Sequence, residues 1–274
     1  MPLATADLDF LRDLVSRKSG NVISQQQGYL FESRLTSVLQ RGGFPNLAAL
    51  VMELRRNPKP ALVDEIAEAM TINETSFFRD VAPFDALRTS VIPRLMQARA
   101  STKALTVWCA ASSSGQEPYT LAMVFAEAGL LQNGWTVRIT ASDVSDEMLN
   151  RSRRGAYSQF EVNRGLPARM LIKYFDRRGT EWEVRPELKQ MIDFRKVNLT
   201  DAWPYMPQFD VIFIRNVLIY FDRTKKQEIL RKAHRMLKTD GFLFLGGGET
   251  LINLDTPYSR ESVGNTVCYR PTQS

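Results

Sequence analysis

Val107-Trp108-Cys109-Ala110-Ala111-Ser112-Ser113-Ser114-Gly115-Gln116-Glu117-Pro118 is the stretch that decides the fold. Its first residues suit a buried strand and its middle is a turn of small residues. A helix is expected to begin near Pro118, because proline's fixed φ suits a first helical turn. Small residues let a ligand approach the backbone, and a helix start offers unpaired N–H groups. Only Gly115 stands where a dinucleotide-binding G-x-G-x-x-G needs three glycines, so that motif is excluded. A strand-to-helix turn with no ligand fits the same residues. Further on, Ile139-Thr140-Ala141-Ser142-Asp143 places an acid at the end of the next expected strand. Nucleotide-binding α/β folds use that position to accept from ribose hydroxyls, although a lone Asp there can also cap the following helix. Together the two features favour an adenosine-type ligand at the carboxyl ends of parallel strands.

Outward from this stretch, short apolar segments alternate with helical ones. Ala104 to Ala111, Val137 to Ser142, Phe209 to Ile214 and Phe242 to Leu245 read as buried strands, with helices over Pro118 to Ala128 and Lys225 to Leu237. Such alternation gives an α/β fold with a mostly parallel sheet. Residues 155–200 interrupt it. There Glu181-Trp182-Glu183-Val184 and Met191-Ile192-Asp193-Phe194 read as pieces of a small antiparallel insertion. Before residue 80 the apolar residues fall at helical spacing, as in Phe10, Leu11, Leu14 and Val15, with Gly42-Gly43 and Asn57-Pro58-Lys59-Pro60 as punctuation. The expected organisation is a helical domain over 1–80, a linker and connecting helix over 81–103, and an α/β domain over 104–274.

Composition narrows the class. At 44% hydrophobic and 24% charged, the 274 residues can build a full α/β core. No run of about 18 apolar residues occurs, so no membrane span is expected. Met1 to Phe10 reads as no signal peptide. Two cysteines, Cys109 and Cys268, suit a reducing compartment and a cytoplasmic location. With one histidine, His234, no metal site is expected. A net charge of +6 points to an anionic partner. Residues 1–80 carry 9 Lys+Arg against 10 Asp+Glu, so the excess lies elsewhere.

Four stretches taken in order resemble the chemotaxis receptor methyltransferase family, CheR-type, over nearly the full length. They are Asn73-Glu74-Thr75-Ser76-Phe77-Phe78-Arg79-Asp80, Ser112 to Pro118, Ala141-Ser142-Asp143, and Phe209 to Phe221 with Arg215-Asn216-Val217-Leu218-Ile219-Tyr220 at its end. The resemblance implies a small all-helical N-terminal domain before a Rossmann-like S-adenosylmethionine-dependent methyltransferase domain with a small antiparallel β insertion. It implies methyl transfer to glutamate side chains of bacterial chemoreceptors, with S-adenosylhomocysteine as the cofactor's product. By the same resemblance Asn73, Thr75, Arg79, Ala111, Ser113, Glu117, Asp143, Asn198, Leu199, Asn216 and Val217 hold the cofactor. Glu117 would take its ammonium group, Asp143 its ribose and Asn198 its adenine. Arg79, Arg215 and Tyr220 would serve the acceptor carboxylate.

This chemistry asks little of the protein. The sulfonium already activates its methyl group, and a glutamate with a pKa near about 4.3 is ionised at pH 7 without a base. Alignment and desolvation remain. A tight arginine clamp would stabilise the charged ground state, so Tyr220 is favoured as the aligning contact. For docking, the family's acidic helical-bundle partner makes Arg17, Lys18, Arg34 and Arg41 the expected surface, with Arg34 and Arg41 on one face of a helix from about Tyr29 to Gln40. A solvated charged face is the alternative. Binding of a tethered receptor C-terminal peptide is left open, because Arg177-Arg178-Gly179-Thr180-Glu181-Trp182 is short and has one glycine. A monomer is expected, with room for a regulatory protein among its partners. The rival readings are a nucleic-acid methyltransferase and a non-catalytic cofactor-binding scaffold. The first lacks both a proline pair after Asn216 and any Pro-Cys. The second is at odds with Arg79, Glu117, Asp143 and Tyr220 occurring together.

Overall fold

The computed structural model describes residues 3–272; Met1 and Pro2 of the N-terminal stretch lie outside them. The chain divides into two compact units: residues up to Ile72 with Tyr220–Lys225, and Asn73–Ile219 with Lys226 onward.

In the helical unit, helices Thr5–Ser19, Tyr29–Arg34, Thr36–Gly42, Leu47–Arg56 and Pro60–Ala69 bury Leu11, Val15, Phe31, Val38, Leu50 and Ile66. Asn46 caps one helix by accepting the Ala49 N–H at 2.9 Å. Tyr220–Lys225 belongs to this unit, with the Val22 N–H donating to the Tyr220 carbonyl at 3.0 Å. The single helix expected over Tyr29 to Gln40 is instead two, parted at Leu35, whose ψ of 2° leaves the helical range.

That break bears on the docking residues. Arg34 turns inward and donates to the carbonyls of Met70 and Thr71 at 3.1 and 2.9 Å, capping the end of helix Pro60–Ala69. It is therefore not the free surface cation that the sequence suggested. Arg41 and Lys18 are tied to the adjacent acids Glu65 and Asp64 at 2.6 and 2.5 Å, and Arg17 is exposed.

The second unit is built on a seven-stranded sheet. Its strands and those of a smaller sheet run β1 Ala104–Ala110, β2 Thr136–Asp143, β3 Ala156–Ser158, β4 Phe175–Arg178, β5 Glu181–Val184, β6 Ile192–Lys196, β7 Phe209–Ile214, β8 Leu237–Leu245, β9 Tyr258–Val263 and β10 Thr266–Pro271. The large sheet has the order β6-β2-β1-β7-β8-β10-β9, parallel except at its β10 and β9 edge. Every residue of β7 is buried, as a central strand covered on both faces requires. Phe84 stacks on Phe213, and Phe213 on Phe244, with centroids 5.9 and 4.8 Å apart. The helical stretch from Ala82 to Ala98 widens by one residue over Leu87–Val91, where the Ile92 N–H reaches back to the Leu87 carbonyl. Pro93 follows immediately and has no N–H to continue the regular ladder.

The antiparallel insertion is present as the three-stranded sheet β3-β5-β4. Arg178 faces Glu181 across a two-residue loop, Gly179-Thr180, with Gly179 at φ 61°. Met191 to Phe194, however, is not part of it. Ile192–Lys196 is the edge strand of the large sheet and runs parallel to β2. Among the described residues no helix is long and apolar enough to cross a membrane.

Candidate active site

Sheet order turns at β1, which leads to β2 on one side and to β7 on the other. Open α/β sheets bind ligands at such a switch point, beyond the carboxyl ends of the strands. Ala111, Ser113, Glu117, Asp143, Asn216 and Val217 follow or end strands β1, β2 and β7 on that side.

After β1 the chain passes through left-handed conformations at Ala111 (φ 54°), Ser113 (φ 48°) and Gly115 (φ 94°) before helix Gln116–Glu127 begins. Two of these are not glycine, so the turn is strained and must be held. Asp143, at the end of β2, holds it by accepting the Ser113 N–H at 2.8 Å, while its other oxygen accepts the Ser145 N–H at 3.0 Å. Ser113 Oγ donates to the Asn73 carbonyl at 2.7 Å, joining the Asn73–Asp80 segment to the loop. Beneath, Tyr157 donates to the Ser114 carbonyl at 2.8 Å and Ser152 to the Ser113 carbonyl at 2.9 Å. A Cβ at Gly115 would lie 2.9 Å from both the Ser152 and Tyr157 hydroxyl oxygens, so glycine is required there for space as well as for φ. Burial pushes the Tyr157 and Tyr119 hydroxyls up, so both act as neutral donors.

Glu117, in the first turn of the helix, meets Arg215, which follows β7. Arg215 Nη1 donates to Glu117 Oε2 at 2.5 Å, and Nη2 to Asp80 Oδ2 and the Arg79 carbonyl at 2.9 Å each. The guanidinium also lies over the Phe84 ring at 5.3 Å. Its side chain is 0% exposed, held by Glu117, Asp80 and the Arg79 carbonyl. Glu117 Oε1 accepts only a weak bond from the Cys109 thiol at 3.3 Å, one that an ammonium group would outcompete. Burial, then Glu117, pushes the Cys109 thiol well up, so it stays protonated and is no nucleophile.

Other expected residues sit differently. Arg79 donates to the Glu74 carbonyl at 3.0 Å. Asn198 Oδ1 accepts from the Thr200 N–H and hydroxyl at 3.1 and 2.9 Å, the local cap that a short polar side chain commonly makes. The adjoining backbone is nonetheless anchored to the site, since the Val197 N–H donates to the Asp143 carbonyl at 3.0 Å. Asn216 is left-handed at φ 57°, and the N–H groups of Asn216 and Val217 point to the Glu249 carboxylate at 2.8 and 2.9 Å. Neither Glu249 nor Asp80 was given a role from sequence. The signal for Glu249 was an acid directly after a glycine run that follows a buried strand.

Ser112 Oγ is buried at the centre of this loop without a hydrogen-bond partner. An orphaned hydroxyl, a strained turn and the carboxylates of Asp143 and Glu117 fit a polar ligand carrying hydroxyl and ammonium groups.

Two family models match the chain. The CheR methyltransferase all-alpha domain covers residues 6–71, and the CheR methyltransferase SAM binding domain covers residues 73–266. The chain is 37% identical to chemotaxis protein methyltransferase 1 of Pseudomonas aeruginosa, over 98% of this chain and 99% of that protein. It is 35% identical to chemotaxis protein methyltransferase Cher2 of Pseudomonas putida over the same shares. Identity to the chemotaxis protein methyltransferase of Vibrio parahaemolyticus is 34%, over 96% of this chain and 95% of that protein. With both domain models matched in order and these relatives aligned along nearly its whole length, the chain belongs to the CheR methyltransferase family.

Proposed function

We propose that this S-adenosylmethionine-dependent methyltransferase of chemotaxis esterifies glutamate side chains on the helical bundle of a chemoreceptor. The observation that carries the reading is the chemistry of the strand ends. Carboxylates and backbone groups line them, and the thiol at the end of β1 is held protonated. The nucleophile must then arrive with the substrate, already ionised, as a glutamate does.

Bound S-adenosylmethionine supplies a methyl group activated by its sulfonium. The chain's own residues orient it. Asp143, aimed by two backbone N–H groups, is assigned to the ribose hydroxyls, and Glu117, aimed by Arg215, to the ammonium group. Asn73, Thr75, Arg79, Ala111 and Ser113 belong to the strained loop and the segment tied to it. Asn198 and Leu199 follow β6 and are assigned to adenine. Asn216 and Val217 are assigned to the reactive end. Tyr220 ends the turn Leu218–Tyr220 that follows them and is assigned to orient the acceptor carboxylate. Arg17, Lys18 and Arg41 remain the docking cations of this reading. Lys18 and Arg41 would exchange Asp64 and Glu65 for receptor acids, which is feasible because exposed pairs are worth only about 0–1 kcal/mol.

The direct test uses S-adenosylmethionine labelled in its methyl group and membranes carrying chemoreceptors. Receptor label released as volatile methanol by mild base is the expected result. Unlabelled receptors from several sources, with protein that binds the cofactor, would leave a cofactor-binding scaffold. In the same assay Tyr220→Phe is expected to lower turnover about tenfold to a hundredfold, the cost of one hydrogen bond to a charged group at about 1.5–3 kcal/mol. Near-full turnover would remove Tyr220 from the mechanism.

A further inference from the structure

Glu249 closes a concavity of backbone donors. Its Oε2 accepts the Asn216 N–H at 2.8 Å and the Gly246 N–H at 2.7 Å. Its Oε1 accepts the N–H groups of Val217, Leu218 and Ile219 at 2.9, 2.7 and 3.3 Å. Successive N–H groups converge in this way when a left-handed residue opens a turn, here Asn216, and such a nest binds an anion. One carboxylate thereby ties together the segments that leave the parallel neighbours β7 and β8. The approach is close enough to dictate glycine nearby. A Cβ on Gly246 would lie 2.7 Å from Asn216 Nδ2 and 2.8 Å from both Asn216 N and Glu249 Oε2.

We infer that Glu249 is a positioning residue for methyl transfer, setting which groups the Asn216–Ile219 backbone presents to the sulfonium. This rests on the proposed place of Asn216 and Val217 at the cofactor's reactive end. In a trans peptide the carbonyl points opposite to the N–H of the next residue. Four N–H groups drawn to one carboxylate therefore turn the carbonyls of Arg215, Asn216, Val217 and Leu218 away from it. Those oxygens are acceptors for a cation and for the polarised hydrogens of its methyl group. Glu249 itself touches neither; it decides the direction of the oxygens that can. A neutral thioether gains little from them, so the contribution separates substrate from product.

The test is equilibrium binding of S-adenosylmethionine and S-adenosylhomocysteine to Glu249→Gln and Gly246→Ala, with amide hydrogen exchange of Asn216–Ile219. Glu249→Gln removes the charge, whereas Gly246→Ala keeps it and crowds Asn216. Both are expected to weaken S-adenosylmethionine about tenfold, the sum of two weak carbonyl contacts at about 0.5–1 kcal/mol each. S-adenosylhomocysteine should change by less than about threefold, and exchange at Asn216–Ile219 should quicken. Gly246→Ala decides the matter if Glu249→Gln does not fold. Equal weakening of both ligands would make Glu249 a purely structural brace, and unchanged affinities would overturn the inference outright. No receptor enters the measurement, so unlabelled receptors would sink the proposed substrate while leaving this result standing. A wild-type chain binding neither ligand would instead overturn the cofactor assignment and this inference with it.

Discussion

Arg215→Met is expected to lower methyl transfer by at least about a hundredfold and to cost about 3–5 kcal/mol of stability, the penalty of breaking a buried pair. Methionine keeps apolar volume beside Phe84, so the change isolates the charge. Glu117, with a side chain only 13% exposed, would lose its charged partner; Asp80, at 49%, would be rehydrated. Most of the cost therefore falls on Glu117. Its carboxylate would drift, and the ammonium contact assigned to it would loosen. A misplacement of about 1 Å in a reacting group is enough for a hundredfold loss. Arg215→Lys should recover part of the stability and little of the rate, because one ammonium cannot bridge Glu117, Asp80 and the Arg79 carbonyl as the planar fork does. Arg215 Nε is buried with no partner, so this cluster has not been arranged for stability alone. Thermal melting and methyl-transfer rates of both variants check the expectation. Arg215→Met melting and turning over like wild type would show the pair to be dispensable.

How far the sequence was legible depends on the range of each interaction. The strand-loop-helix from Val107 to Pro118 is local: a buried strand, small residues and a helix start are written within a dozen positions. The acid after the second strand is local in the same sense, so Asp143 could be placed in advance. The pairing of Arg215 with Glu117 spans 98 positions, and that of Glu249 with Val217 spans 32. No periodicity reports such distances, and only the parallel order of β1, β7 and β8 brings these residues together. Arg215 accordingly read as a substrate contact, with no sign of the carboxylates of Glu117 and Asp80 that it meets. Met191-Ile192-Asp193-Phe194 was assigned to the insertion because a half-buried edge strand of a large sheet has the same alternation as a strand of a small one. Arg34 read as a surface cation because Leu35, a good helix former, gives no sign of the break beside it. Nothing local to Gly246-Gly247-Gly248-Glu249 gives the reason for its first glycine: Gly246 makes room for the carboxylate and for Asn216.

The opposite end of the sheet carries the last prediction, and it separates fold from chemistry. Asp210, in β7, is 0% exposed. One oxygen accepts Arg99 Nε at 2.9 Å, and the other accepts the Thr106 N–H at 2.8 Å, its hydroxyl at 3.0 Å and Lys238 Nζ at 2.9 Å. Thr106 lies in β1 and Lys238 in β8, so a single buried side chain joins the three central strands near their amino ends. Asp210→Ala would strand an N–H and an ammonium, and the expected loss is about 3–5 kcal/mol. Arg99 softens the effect, because both its Nη atoms also hold Asp240, at 2.8 and 2.6 Å, so its charge keeps a partner. The lower half of that range is therefore expected. At about 2–4 °C per kcal/mol for a domain of this size, the melting temperature should fall by about 6–16 °C. Asp210→Asn, which keeps one acceptor and the volume, should lose about half as much. At low temperature, where the variants stay folded, S-adenosylhomocysteine affinity should match wild type, because Asp210 touches nothing at the carboxyl ends of the strands. A normal melting temperature would show that the strands need no polar tie. Lost affinity in a folded variant would mean that strain at one end of the sheet reaches the other. Taken with Arg215→Met, the pair asks whether the two ends of β7 are independent, one holding the sheet and the other the site.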